Sequence, residues 1–511
     1  MRKKHILFVI ILLFVITAQA QMQSDFYELC RSFNEIDFTI PNVTYTFVDE
    51  GDLYVSEVMY LPERTQSNTL DKVLIFADST LYSLYEYPIR RYAYDIYNVY
   101  GCEIKMIVIK GETCVDVKNL ILSNSNDLDG VVFIGDIEPA LYEASDVINY
   151  NTFTTWLCDM YFMDLDAVWT DNNYNNVFDD YIGAFNPEIF VGRIYTKNVG
   201  NGSDELDLFE KYMDKNHAFW IGHRQVNKKF ALSYTNPSWN DWQNDLINGI
   251  HVLYGQNKCD TITSNTSVFC ANDYLERLRN DRYEFVQLAS HSYSFKHVFD
   301  SLVPTMNSYD TLPVYIHNST IYSNGVNALG MNLFCCSACN WCSNGYLGGN
   351  YVYSPKSSVL SLLGCTKVGS MWDMPSFYQP LHNEKTIGQA FVDWWLTNYY
   401  RRMTKNNKIC YFFGLTIIGD PLVNFFHCTN STCQNQITLT SYNNSNSPLS
   451  YYLASESITV SPPTTSSFTI QNGDHCILNA PIVLINGEFL CPQGSTLEIL
   501  NEGCKDNFDD E

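Results

Sequence analysis

Glu284-Phe-Val-Gln-Leu-Ala-Ser-His291-Ser292 and Met331-Asn-Leu-Phe-Cys-Cys-Ser-Ala338-Cys339 are two largely apolar runs, each ending on residues able to do chemistry. Apolar runs of this length read as strands buried on both faces, the pattern of a parallel sheet covered by helices. In open α/β folds the carboxyl ends of such strands are where ligands and reactions are placed. A histidine closing one strand and a cysteine closing another can therefore meet at one sheet edge. A thiolate is a strong nucleophile once a neighbouring imidazole takes its proton, so His291 and Cys339 form a candidate acyl-transfer dyad.

Outward from this pair the chain keeps the same grammar. Upstream, Val73 to Asp78 reads as a strand, a tyrosine-rich helical stretch runs to Tyr100, and Glu103 to Ile109 and Gly130 to Asp136 follow as strands. A second series comprises Phe230 to Tyr234, the two runs above, Lys367 to Trp372, and Gly414 to Ile418, with a helix over Ile387 to Tyr400. Strands alternating with helices predict an α/β fold, as two subdomains (69–222 and 223–430) side by side or as one continuous sheet. From about Ile437 the helical pattern stops, and residues 431–511 read as a small β-rich module ending in a solvated acidic tail.

The N-terminus carries Arg2-Lys-Lys, an apolar run from Ile6 to Ile16, and Ala18-Gln19-Ala20, the pattern of a cleaved export signal over 1–20. That run is short of the roughly 20 residues a membrane span needs. Residues 21–68 lack clear periodicity and read as an extension or pro-segment. The formal charge is -25, or -28 after loss of the three basic residues of the signal, which argues against nucleic acid or anionic lipid as partner. The 17 cysteines fit an exported protein, secreted or held at the cell surface; their odd number leaves at least one thiol without a partner in the chain.

These motifs resemble the gingipain-type cysteine peptidases, which have a caspase-like α/β fold. The family pattern is a hydrophobic strand closing on His-Gly and a later one closing on Ala-Cys, here His291-Ser292 and Ala338-Cys339. Asp159 to Asp166, Pro187-Glu-Ile-Phe-Val-Gly-Arg193, Tyr346-Leu-Gly-Gly-Asn350, Gly364 to Ser370 and Ile418-Gly-Asp-Pro-Leu422 are similar to further family segments. The resemblance covers residues 70 to 425. It implies a cysteine endopeptidase acting on protein or peptide substrates, with Cys339 as nucleophile, His291 as acid and base, and Glu188 orienting the histidine. Backbone N–H groups near Ser292 and Cys339 would be the oxyanion donors. Ser292 stands where the family has glycine, so a side chain enters there.

Cys336, Cys339 and Cys342 also have metal-ligand spacing, but export to an oxidising space favours disulfides. Cys335, Cys336 and Cys342 are then expected to bridge elsewhere and brace the loop around a free Cys339. Asp171, Asn173, Asn175, Val177 and Asp179 occupy positions one, three, five, seven and nine of a calcium-like loop. Its twelfth position, Ile182, lacks the usual glutamate, and calcium would be structural. Trp372 and Asp373 follow an expected strand and are candidates for the substrate pocket; His297 is expected at the surface or in the pocket. Two other readings stand beside the peptidase: a binding or adhesion protein on the same fold without turnover, and a carbohydrate-binding envelope protein.

Overall fold

The structure is a computed structural model that describes residues 54–61, 70–145, 153–184, 186–200, 204–220, 228–263, 270–304, 309–397, 409–425, 434–442, 449–472 and 475–500. The export signal, most of the N-terminal extension and the acidic tail lie outside these residues.

The strands that frame the site are, in chain order, β1 (Tyr54–Leu61), β2 (Lys72–Asp78), β3 (Glu103–Lys110), β4 (Leu128–Ile134), β5 (Leu141–Ser145) and β6 (Phe153–Leu157). Next come β7 (Val168–Thr170), β8 (Asp180–Ile182), β9 (Phe190–Ile194), β10 (Lys228–Thr235), β11 (Cys259–Ile262) and β12 (Tyr283–Ala289). The set closes with β13 (His291–Tyr293), β14 (Lys296–Pro304), β15 (Tyr309–His317), β16 (Ala328–Phe334), β17 (Ser361–Cys365) and β18 (Leu415–Gly419). Eleven of these form one sheet in the order β1-β3-β2-β4-β9-β18-β17-β16-β12-β10-β11. The fold is therefore α/β with a large, mostly parallel central sheet, and the two expected subdomains are halves of one sheet.

The halves run in opposite senses. β2, β3, β4, β9 and β18 are mutually parallel, as are β17, β16, β12, β10 and β11, and the two sets meet where β18 pairs antiparallel with β17. The carboxyl ends of the second set consequently share an edge with the amino ends of the first. β1 adds an antiparallel border beside β3.

Every residue of β12, β16, β17 and β18 is buried, which explains their near-continuous apolar sequence. The strand expected over Lys367 to Trp372 lies earlier, at β17: Ser361-Leu-Leu-Gly-Cys365 takes the place between β16 and β18, and Lys367 to Trp372 is loop. The apolar run there is long enough for either register, and pairing with β16 selects the earlier one. One hydrophobic core runs from Met59 to Phe425. Asp420 of the Gly-Asp-Pro segment is buried within it and accepts hydrogen bonds from Tyr92, Asn216, Trp220 and the Leu422 N–H; that motif is structural.

Residues after 434 have a separate small core. Their strands pair in parallel, Leu449–Val460 with His475–Asn479 and that strand with Thr496–Leu500, while Gln434–Leu439 and Ile482–Ile485 flank Leu449–Val460. Such pairing between successive strands describes a coil of stacked turns. Among the described residues no helix is long and apolar enough to cross a membrane.

Candidate active site

β12 and β16 are adjacent and parallel, with Ala289 opposite Phe334, so their carboxyl ends stand about 4.8 Å apart. β12 continues through Ser290 into β13, which begins at His291. His291 pairs with Val298 and Ser292 with His297 in a small antiparallel sheet that folds over the edge. The imidazole of His291 is 2% exposed and lies 5.0 Å, centroid to centroid, from the Trp239 indole. Burial pushes its pKa down to about 3, so it is a neutral base.

The cysteine run divides by environment. Cys335 is buried, with Sγ 3.4 Å from Ser290 Oγ, and burial raises its pKa to about 12. Cys336 is half-buried, and its carbonyl accepts a hydrogen bond from Ser292 Oγ. Ser337 then adopts a left-handed conformation (φ 55°) and donates its N–H to the Lys367 carbonyl at 2.7 Å. This turn carries the chain back into the interior.

Cys339, the nucleophile expected from the sequence, is consequently placed in the core. Its side chain is fully buried, and burial drives its thiol pKa well above the usual range. A Cβ on Gly364 would lie 2.5 Å from Cys339 Sγ, and one on Gly348 would lie 3.0 Å away. The sulfur therefore fills the space these two glycines leave. The Cys339 N–H, an expected oxyanion donor, bonds the Cys365 carbonyl at 2.9 Å. Cys335 and Cys342, expected to bridge elsewhere, are unbridged in this structure.

Glu188 precedes β9 and lies at the same sheet edge as His291, but four strand positions away, about 19 Å at the usual spacing. It cannot orient the imidazole directly. Its carboxylate accepts the Leu165 N–H at 2.6 Å and gathers with Asp164 and Asp166, their oxygens within 4.8 Å of one another. The buried Lys118 ammonium lies beside this group, donating to the carbonyls of Tyr161 and Asp164 at 2.7 Å. Arg193, from the same segment, is buried against Asp159 at 2.8 Å with its guanidinium 4.7 Å from the rings of Phe133 and Trp341. That clamp ties the loop after the cysteines to β9.

Trp372 and Asp373 do border the second-half edge. The Trp372 ring meets Trp242 edge-on at 4.6 Å, and Trp242 ends the short helix Pro237–Trp242 that carries Trp239. Asp373, at φ 55°, accepts from Ser376 Oγ at 2.7 Å. His297 is fully buried, contrary to expectation, between Ser290 Oγ at 3.2 Å and Tyr351 OH at 2.9 Å. No family model and no curated protein matches the chain. The site therefore has to be judged on its geometry.

The 171–179 loop joins β7 to β8. Asp171 accepts the N–H groups of Asn175 and Asn176, Asp179 accepts the Asn172 N–H, and Asn176 takes the left-handed conformation (φ 64°). Glu143, 8% exposed, reaches the loop from β5 and is contacted by the side-chain amides of Asn173 and Asn175. Ile182, at the twelfth position, is exposed. A set of carboxylate and amide oxygens suits a hard cation such as calcium, and turning either amide would present its oxygen.

Proposed function

We propose that this protein is an exported cysteine endopeptidase with a caspase-like architecture, in which Cys336 is the nucleophile and His291 the acid and base. The observation that carries this reading is that Cys336, a half-buried residue, and His291 each follow by two residues the paired ends, Phe334 and Ala289, of neighbouring parallel strands. Ser292, the residue after the histidine, is held to the Cys336 carbonyl, so the two strand ends move as one unit.

In the proposed reaction the neutral imidazole takes the Cys336 proton, and the thiolate sulfur bonds to the scissile carbonyl carbon. The C–N bond then breaks as the imidazolium returns that proton to the departing amine. Water adds to the thioester with His291 again as base, and the acid product leaves with the thiol restored. The hydroxyl of Ser292 donates to the backbone carbonyl of Cys336. Calcium held by Asp171, Asn173, Asn175, Val177 and Asp179, with Glu143, would brace the β5–β8 hairpins that border this edge.

The test is labelling of the mature protein with an acyloxymethyl ketone peptide library, followed by mapping of the modified residue. Modification at Cys336, retained in Cys339→Ala and lost in His291→Ala, is the expected result. A second reading, a binding protein on the same fold without turnover, is favoured by the enclosure of His291 at 2% exposure. Absence of labelling at every cysteine of the folded protein would select it.

A further inference from the structure

We infer that Trp239 is the positioning residue of His291, an indole face serving where an orienting carboxylate was expected. The inference rests on the peptidase reading. Glu188 stands about 19 Å away along the edge, while the imidazole packs tilted against an indole at 5.0 Å with 36° between the planes.

The indole is itself fixed from several directions. It is 1% exposed, and Phe334, the last residue of β16, meets it edge-on at 5.0 Å and 84°. One ring thus touches both the histidine and the strand that leads to Cys336. The backbone of the segment is tied down as well. Trp239 donates its N–H to the Asn236 carbonyl, and Asn236 donates to the Ala289 carbonyl at the end of β12, both at 2.9 Å.

The Asn236 side chain exchanges two hydrogen bonds with Asp300 of β14, each 2.9 Å, and Ser238 Oγ also donates to the Asp300 carboxylate. Trp239 breaks the helical dihedrals of its own helix (φ -109°, ψ 20°), which sets the indole apart from its neighbours. The charged and titratable groups packed around this unit are Asp300, engaged as described, His297, engaged by Ser290 and Tyr351, and the Cys335 thiol.

A packed aromatic ring and a carboxylate position a histidine differently. A carboxylate holds one ring nitrogen through a proton and favours the cation. An indole ring restricts the ring plane, leaves both nitrogen edges to other partners and attracts the imidazolium when it forms, while burial keeps the resting imidazole neutral. Such a histidine is a base before the reaction and a stabilised acid during it.

The experiment uses the full mature chain, carbon-13-labelled in histidine, as wild type, Trp239→Phe, Trp239→Ala and, for assignment, His291→Ala. The wild-type His291 ring protons are expected upfield through the indole ring current. Trp239→Phe keeps most of this displacement and labels Cys336 within about three-fold of wild type; Trp239→Ala loses it and labels at least about ten-fold more slowly, through the maximal rate and not the half-saturating concentration. A folded Trp239→Ala protein with unmoved His291 resonances or undiminished labelling overturns the inference. Should Trp239→Ala not fold, Trp239→Phe decides alone: loss of both signals in a folded protein overturns it. If wild type does not label, the peptidase reading fails, and the histidine resonances still decide whether Trp239 holds the ring.

Discussion

Gly364→Ala tests the burial of Cys339 at the level of single atoms. The glycine lies in β17 between two other buried strands, and the added methyl would sit 2.5 Å from Cys339 Sγ, well inside van der Waals contact. Overpacking of this kind costs about 1–3 kcal/mol, while replacing glycine within a strand returns about 0.5–1 kcal/mol of backbone entropy. The single variant should lose about 1–2 kcal/mol. Cys339→Ala removes the sulfur and leaves a small void, at about 1 kcal/mol. In the double variant the methyl added at position 364 occupies the space the sulfur vacated, so the protein should return to within about 1 kcal/mol of wild type, a coupling of roughly 2 kcal/mol. Urea unfolding of the four proteins, followed by tryptophan fluorescence, closes the cycle. Additive losses, or a Gly364→Ala protein as stable as wild type, would show that the sulfur does not face this glycine and would return Cys339 to candidacy as the nucleophile.

Three further outcomes are expected. Calcium should raise the thermal midpoint of the protein, and Asp171→Ala or Glu143→Gln should remove most of that rise; an equal rise in both variants would place the ion elsewhere. His291 and His297 are each held near pKa 3 by burial, below the unfolded value of about 6.5. Protons then bind the unfolded chain first, and stability present above pH 6.5 is lost as pH falls toward 3, by up to about 2 kcal/mol per histidine at pH 5. Urea titrations at stepped pH should show a shallower fall in His297→Gln, and an unchanged slope would contradict the buried neutral ring. Arg193→Met should cost about 3–5 kcal/mol by leaving Asp159 buried without its ion partner, and differential scanning calorimetry finding a near-neutral change would refute the clamp.

The strands of the sheet are legible in the sequence because burial on both faces removes polar alternation, as in Val73-Leu-Ile-Phe-Ala and Met331-Asn-Leu-Phe. His291 is legible for the same reason: it directly follows such a run. The choice among Cys335, Cys336 and Cys339 is not, because it depends on a single left-handed residue, Ser337, that turns the chain inward. Glu188 is legible as a residue of the same edge, since the opposed halves bring the start of β9 and the end of β12 to one side. Its distance is hidden by strand order: β18, contributed from beyond residue 410, lies between β9 and the second half. Trp239 leaves no comparable mark, because its contact with His291 is tertiary. The available signal is Asn236-Pro237 directly after a strand of the same edge, which places whatever follows beside the histidine.

The seam between β18 and β17 has a consequence for how the chain is made. On the ribosome, β2, β3, β4 and β9 emerge together and can pair, yet the flank of β9 waits for a strand still more than two hundred residues from synthesis. The second half can assemble meanwhile, but β17 is left with the same open flank. Both exposed borders are apolar and ready to pair with the wrong chain. Only when Leu415–Gly419 arrives are they joined, so a nascent protein truncated before that point is two sticky half-sheets. A chaperone should be needed to keep them apart, and the last strand of the sheet acts as the latch that ends that need.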